Sequence, residues 1–200
     1  MSLFSRTPLA PEIAARIPPG QQLTVKWPVL HYGNVPRVDL EKWTFKVDGL
    51  VETPYTWTWE QFLAMPAAVR KNDIHCVTRW TKLDNTWEGI PVRDVLAQVR
   101  PRAEATHVLV SAEHGFTANL PLSDFDREEN LFARLHDGEE LTKEHGWPLR
   151  LVVPHLYFWK SVKWVRGLTF LDHDEPGFWE RNGYHMRGDP WTEERYSSWW

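Results

Sequence analysis

The chain of 200 residues has one cysteine, Cys76, so it can form no internal disulfide and has no cysteine pair for a Cys-rich zinc site or a haem attachment. No run reaches the roughly 18 apolar residues that would span a bilayer, and the first residues lack the apolar stretch of about 7–15 that marks a secretory leader. A cytoplasmic protein, not inserted in a membrane, is expected on those grounds. Charge of one sign is not in excess either. With 23 basic and 27 acidic residues the formal net charge is −4, so the chain as a whole has no electrostatic reason to bind nucleic acid or an anionic membrane. Any anion site must be local. Repeats, low-complexity tracts and Gly/Ser linkers are missing, and a single domain over residues 1–200 is expected.

What the chain has in plenty is aromatic surface: 13 Trp, 9 Phe and 5 Tyr. Indoles fill cores and flank cofactor pockets, but a row of them on one face stacks on ligands. The latter use would make the chain a non-enzymatic Trp-rich module for glycans or peptides, with Cys76 buried and inert. Pro8, Pro11, Pro18 and Pro19 block regular helix in the first residues and predict an extended N-terminal arm over 1–25. Trp43, Phe45 and Val47 alternate with Thr44 and Lys46, the period of a half-buried strand ending at Asp48-Gly49. Thr58 and Gln61 have capping-box spacing, which predicts a short helix over 59–65 stopped by Pro66. Pro91, followed by Val92, Val95, Leu96 and Val99 on one face, predicts a second helix. Residues 107–112 and 116–120 read as strands around a turn at His114-Gly115, with further strands at 149–153 and 168–171. Strands outnumber helices without βαβ repetition, so the class is α+β with mixed β-sheets and short helices.

Cys76 is the one possible sulfur nucleophile or thiolate ligand. Arg70, Lys71, Arg79 and Lys82 are near it in sequence and would favour the thiolate. CxxC, HExxH and HxxxH spacings are missing, which leaves a zinc site poorly supported. A cysteine nucleophile needs partners that only the fold can bring together. Nucleophile, metal ligand and inert core residue all remain open at this point.

Residues 150–171 contain Arg150, Lys160, Lys163 and Arg166 and not one acid. A solvated basic face is one reading of such a run. Interleaved with Val, Leu, Tyr, Phe and Trp, however, some of these charges must lie beside buried surface, where each needs a bound anion or an acidic partner. Lys160, Ser161 and Lys163 offer ammonium and hydroxyl donors and Arg150 a fork of N–H groups, a set suited to phosphate. The Gly-x-x-x-x-Gly-Lys frame of nucleotide triphosphatases is missing.

Three segments in this order, the one around Cys76, then Leu149-Arg150-Leu151-Val152-Val153-Pro154, then Trp159-Lys160-Ser161-Val162-Lys163-Trp164, resemble the catalytic domain of the sulfite oxidase family of molybdopterin enzymes. His31-Tyr32-Gly33-Asn34-Val35-Pro36 belongs to the same likeness, which extends over about residues 27–170. The resemblance implies a sulfite oxidase catalytic-domain-like fold and a molybdenum-molybdopterin cofactor (Mo-MPT). It makes Cys76 the one protein ligand of the metal, beside the dithiolene sulfurs of the pterin. A soft thiolate suits a site already rich in sulfur. Arg150, Ser161 and Lys163, with Lys160 beside them, would hold the cofactor's terminal phosphate. His145 would make a polar contact to the pterin, Ser111, Thr117 and Asn119 would lie near it, and His31 with Tyr32 would reach the metal. Arg79 and His31 would position a substrate oxygen by charge-assisted hydrogen bonds.

The activity so implied is two-electron oxygen-atom transfer on a small S-oxo or N-oxo compound, with sulfite oxidation or sulfoxide reduction ahead of nitrate reduction. Thr78 stands where the family's bacterial sulfoxide reductase has an acidic residue, and Arg79 only partly matches the arginine-rich sequence of eukaryotic sulfite oxidases. The substrate therefore does not follow from the likeness. With no haem cysteine pair, flavin or nicotinamide fingerprint, electrons are expected to pass to or from a separate partner. The aromatic-rich tail, residues 172–200, falls outside the shared core and is expected to pack on the domain.

Overall fold

The computed structural model describes residues 9–197. Within the arm, Pro11 starts a one-turn helix, α1 (Pro11–Ala14), and β1 (Gln22–Leu23) follows. Next come β2 (Thr44–Gly49) and β3 (Tyr55–Thr58), in which Phe45, Val47 and Trp57 point inward. Thr58 then caps α2 (Trp59–Leu63): its hydroxyl accepts from Gln61 N at 3.3 Å while its own N–H donates to Gln61 Oε1 at 2.9 Å. The helix ends two residues short of the expected 65.

A long hairpin follows, β4 (Ala68–His75) and β5 (Trp80–Pro91). Pro91 closes β5 and caps α3 (Val92–Val99), whose Val92, Val95, Leu96 and Val99 are all buried. β6 (His107–Ala112) and β7 (Thr117–Pro121) form the expected hairpin around a short turn with His114 at φ 59°. The remaining elements are α4 (Leu122–Phe125), β8 (Leu131–His136), β9 (Glu139–Glu140), β10 (Arg150–Val152), β11 (Val165–Leu171) and α5 (Phe178–Arg181).

Two mixed sheets result. One has the order β1-β5-β8-β10, with β4 also on β5 and β9 on β8; the other runs β3-β2-β11-β6-β7. β1 is parallel to β5 and β11 parallel to β2, while the other pairings are antiparallel. Gly89 sits where the β5–β8 register shifts, and a Cβ there would strike the carbonyl of Phe132. One core joins the sheets to the helices through Phe45, Phe62, Val95, Phe132, Leu151 and Phe170. Among the described residues no helix is long and apolar enough to cross a membrane.

Residues 1–8 and 198–200, which include Pro8, Trp199 and Trp200, lie outside the described residues; within residues 9–197 the arm and the tail are both tied down. Arg16 of the arm donates to both carboxylate oxygens of Asp73, at 2.9 and 2.6 Å. In the tail, Glu180 of α5 meets Lys160 Nζ at 2.6 Å with both side chains fully buried, and it accepts from Trp159 Nε1 at 2.8 Å. Lys160 also donates to the carbonyls of Asn119 and Met186. Burial pulls the ammonium down from its usual value, and the Glu180 carboxylate opposes that. Breaking a buried pair on one side typically costs about 3–5 kcal/mol, whereas replacing both partners with apolar groups costs far less. Glu180→Ala should therefore lower unfolding free energy in urea by about 3–5 kcal/mol. The double variant Lys160→Met with Glu180→Leu should lose clearly less, and equal losses would show that the charges do not organise the tail.

Candidate active site

Cys76 follows the last residue of β4 and opens the turn at residues 76–79. Its N–H donates to Trp80 O and its carbonyl accepts from Arg79 N, both at 2.9 Å, with Arg79 at φ 72°. Contacts from both chain ends fix this turn. From the arm, Gln21 Nε2 donates to Cys76 O at 3.0 Å, and from the tail, Arg195 Nη1 donates to Val77 O at 2.8 Å. The Thr78 hydroxyl donates to Cys76 Sγ at 3.1 Å. Burial pushes the thiol up, while the Thr78 hydrogen bond and the charges of Arg195 and Lys163 push it down.

Cys76 lines a cavity of about 400 Å³, within the range of small-ligand and cofactor sites. Arg150, Ser161 and Lys163 line the same cavity. Arg150, on β10, is wholly buried, and no carboxylate among the described residues pairs with it. Its Nη1 donates to His145 O at 2.9 Å and its Nη2 to Ser161 O at 2.8 Å, and the ring of Phe158 lies 4.3 Å from its guanidinium carbon. Nε is buried without a partner. Burial lowers the guanidinium to about 9, so it still carries its charge at neutral pH.

Ser161 Oγ accepts from Val153 N at 2.9 Å, which leaves its own proton to donate. Lys163 Nζ donates to Leu30 O at 2.7 Å and Glu144 O at 2.6 Å and keeps a third N–H. Burial first, and then the charge of Arg150, brings Lys163 down to about 7. Two cations without a carboxylate partner among the described residues and one hydroxyl donor thus line the same cavity, and they fit a phosphate. A lone thiolate can hold a metal only if the cofactor brings the other ligands. Among the described residues no group of three or more His, Cys, Asp or Glu side chains could hold one unaided.

His31 and Tyr32 also line the cavity. His31 Nδ1 donates to Gly33 O at 3.0 Å, and Tyr32 packs against Phe178 with ring centres 4.6 Å apart. The other candidates lie elsewhere. Lys160, expected beside the phosphate donors, points away from them into its pair with Glu180. Asn119 accepts from Lys160 at 2.8 Å and donates to Asp174 at 2.6 Å, and Thr117 accepts from Arg181 at 3.2 Å. Ser111 pairs with Thr117 across the β6–β7 hairpin and does not line the cavity. Arg79 is exposed, with its guanidinium beside Gly20. His145 stands behind the wall, stacked 3.8 Å from Trp27, and burial lowers it to about 4, so the ring is neutral. Thr78, together with Trp27, Phe158, Trp179 and Tyr184, which no sequence pattern marks as site residues, completes the walls. Nor does any pattern mark Gln21 and Arg195 behind them. The abundance of tryptophan is the only signal for Trp27 and Trp179.

An anion on this wall must restore the Lys163 proton. Sulfate, whose own charge is constant in this range, should bind the protein most tightly below pH about 7. Above that its affinity should weaken by up to about tenfold per pH unit until the raised value of the bound ammonium is reached. Calorimetric titration from pH 6 to 9 reads this slope, and Lys163→Gln should flatten it. A wild-type affinity independent of pH would remove Lys163 from the anion site.

Residues 32–179 match the family described as oxidoreductase molybdopterin binding domain. The chain is 52% identical over 185 residues to the uncharacterized oxidoreductase YuiH of Bacillus subtilis, covering 92% of this chain and 93% of that protein. It is 31% identical over 157 residues to the protein-methionine-sulfoxide reductase catalytic subunit MsrP of Gluconobacter oxydans, covering 70% of this chain and 50% of that one. Among solved structures, the sulfane dehydrogenase SoxCD of Paracoccus pantotrophus superposes with a TM-score of 0.67 at 23% identity, over 81% of this chain and 48% of that one, a likeness of fold. The chain belongs to the family of oxidoreductases built on the molybdopterin binding domain.

Proposed function

We propose that the protein is a molybdenum-molybdopterin enzyme that transfers an oxygen atom to or from a small sulfur oxide, with Cys76 as the metal's protein ligand. The observation that carries this reading is one cavity holding both the chain's only thiol and the wholly buried, carboxylate-free guanidinium of Arg150. Arg150, Ser161 and Lys163 would hold the cofactor's phosphate. When bound, the metal centre supplies a two-electron couple and a place for one oxygen atom. The turn at residues 76–79 fixes the sulfur, and Thr78 donates to it.

Val77, Tyr157 and Trp159, with Trp80, Trp179 and Tyr184, pack around Cys76. Of the charged groups, Lys163 lines the same cavity and Arg195 lies behind the turn, both close enough to act on Cys76, while the guanidinium of Arg79 lies beside Gly20. With Lys163 given to the phosphate and Arg195 bonded to the carbonyls of Val77 and Pro19, neither cation is free to pair with an anionic substrate, whereas a neutral organic oxide can lay its carbon substituents on the rings. Burial pushes the Tyr184 phenol up, which keeps it a neutral hydroxyl. The substrate favoured is therefore a neutral S-oxide, reduced with two electrons and two protons to a thioether and water. The name of the MsrP relative points to the same class. A separate electron donor and a cytoplasmic setting belong to the same proposal, the former supported by a sequence without a second redox motif. A glycan- or peptide-binding role has no such support: Trp191 is the one exposed tryptophan among the described residues.

Dye-coupled assays of molybdenum-loaded protein should give methyl sulfoxides and methionine sulfoxide a kcat/KM at least about tenfold above that of sulfite, nitrate and N-oxides. Cys76→Ser replaces a soft ligand with a hard one and should abolish turnover at an unchanged melting temperature. Sulfite as the best substrate, or an active Cys76→Ser protein, would overturn this reading.

A further inference from the structure

Arg195 lies beyond the residues matched to the family and is 5% exposed. Besides its bond to Val77 O, its Nη2 donates to Pro19 O at 3.3 Å, and its guanidinium lies 4.9 Å from the ring centre of Tyr157. Nε is buried without a partner. The one carboxylate near it among the described residues is Glu193, at 3.5 Å and 46% exposed. A buried cation whose single counter-charge is solvated keeps much of its field in the direction of the protein interior. Here that direction holds Val77 and, one residue before it, Cys76.

We propose that Arg195 is a positioning residue for Cys76, which holds the turn through the Val77 carbonyl and biases the bound metal toward its reduced level. The inference rests on the reading of Cys76 as the metal's ligand. Reduction adds negative charge to the centre, and a fixed cation nearby stabilises the more negative state. Glu193 opposes this effect from the solvent side. The charge and the hydrogen bond can be separated by substitution. Arg195→Lys keeps the charge and loses the fork, whereas Arg195→Gln keeps a donor for Val77 O and loses the charge.

The experiment is a spectroscopic redox titration of molybdenum-loaded protein, with metal content and melting temperature measured on each variant. Arg195→Gln should raise the oxidised-to-reduced ratio at fixed potential by about tenfold or more, equal to about 59 mV for a one-electron step. Arg195→Lys should stay within about twofold of wild type, and Glu193→Gln should shift the ratio the opposite way. A purely structural role would lower the melting temperature and leave the potential unmoved, and that outcome overturns the inference. If Arg195→Gln fails to fold or to hold metal, the exposed Glu193→Gln decides: a raised potential supports the inference and an unchanged one overturns it. Wild-type protein that binds no molybdenum would overturn the proposed function and this inference together, whereas loaded variants with unmoved potentials overturn this inference alone.

Discussion

The guanidinium of Arg150 is a full positive charge in the protein interior, surrounded by carbonyls and aromatic faces and by no carboxylate among the described residues. Such a charge is costly to bury unless something negative completes the site. Much of the neighbouring structure serves to hold it. Trp27, Trp87 and Phe158 enclose it, His145 lends its carbonyl, and β10 pairs with β8 to place it on the cavity wall. Lys163 adds a second cation close enough to be lowered by the first. The fold thus stores an electrostatic demand that a phosphate satisfies, and stability is spent where binding will recover it.

The other pole of the cavity depends on the ends of the chain. A turn of four residues, 76–79, would by itself hold a thiolate loosely. Here Gln21 from the arm and Arg195 from the tail each bond a carbonyl of that turn, and Arg195 also bonds Pro19 O, so arm and tail brace each other. The Glu180 pair with Lys160 holds the tail against Trp159, a cavity wall. Preorganisation of this kind keeps a ligand where the chemistry needs it, without rearrangement on binding.

Elements with one buried face were legible in the sequence. β2 showed its alternation and α3 its stripe, because in both the apolar side chains meet the same core. β4 was not legible: Arg70, Lys71, Asn72 and Asp73 face outward or pair with polar groups, so no apolar period marks the strand. Lys160 and Lys163 show the limit more sharply. They are the same residue type three positions apart in an irregular segment, yet one turns to a carboxylate 20 residues on and the other to the cavity. Nothing local distinguishes them. Cys76, Arg150, Ser161 and Lys163 were legible as a group through their order along the chain and their likeness to a family. Arg79, Ser111, Thr117 and Asn119 carried the same kind of expectation, but backbone direction and tail packing turn them elsewhere, while His145 stays beside Arg150 with its Nε2 buried and unpartnered.

The proposed role of this cavity is to cradle a pterin-bound molybdenum. It is tested most directly by the molybdenum and pterin content of protein purified from cells able to make the cofactor. One metal and one pterin per chain, removed together when the protein is unfolded, is the expected result. Folded protein that carries neither would contradict it.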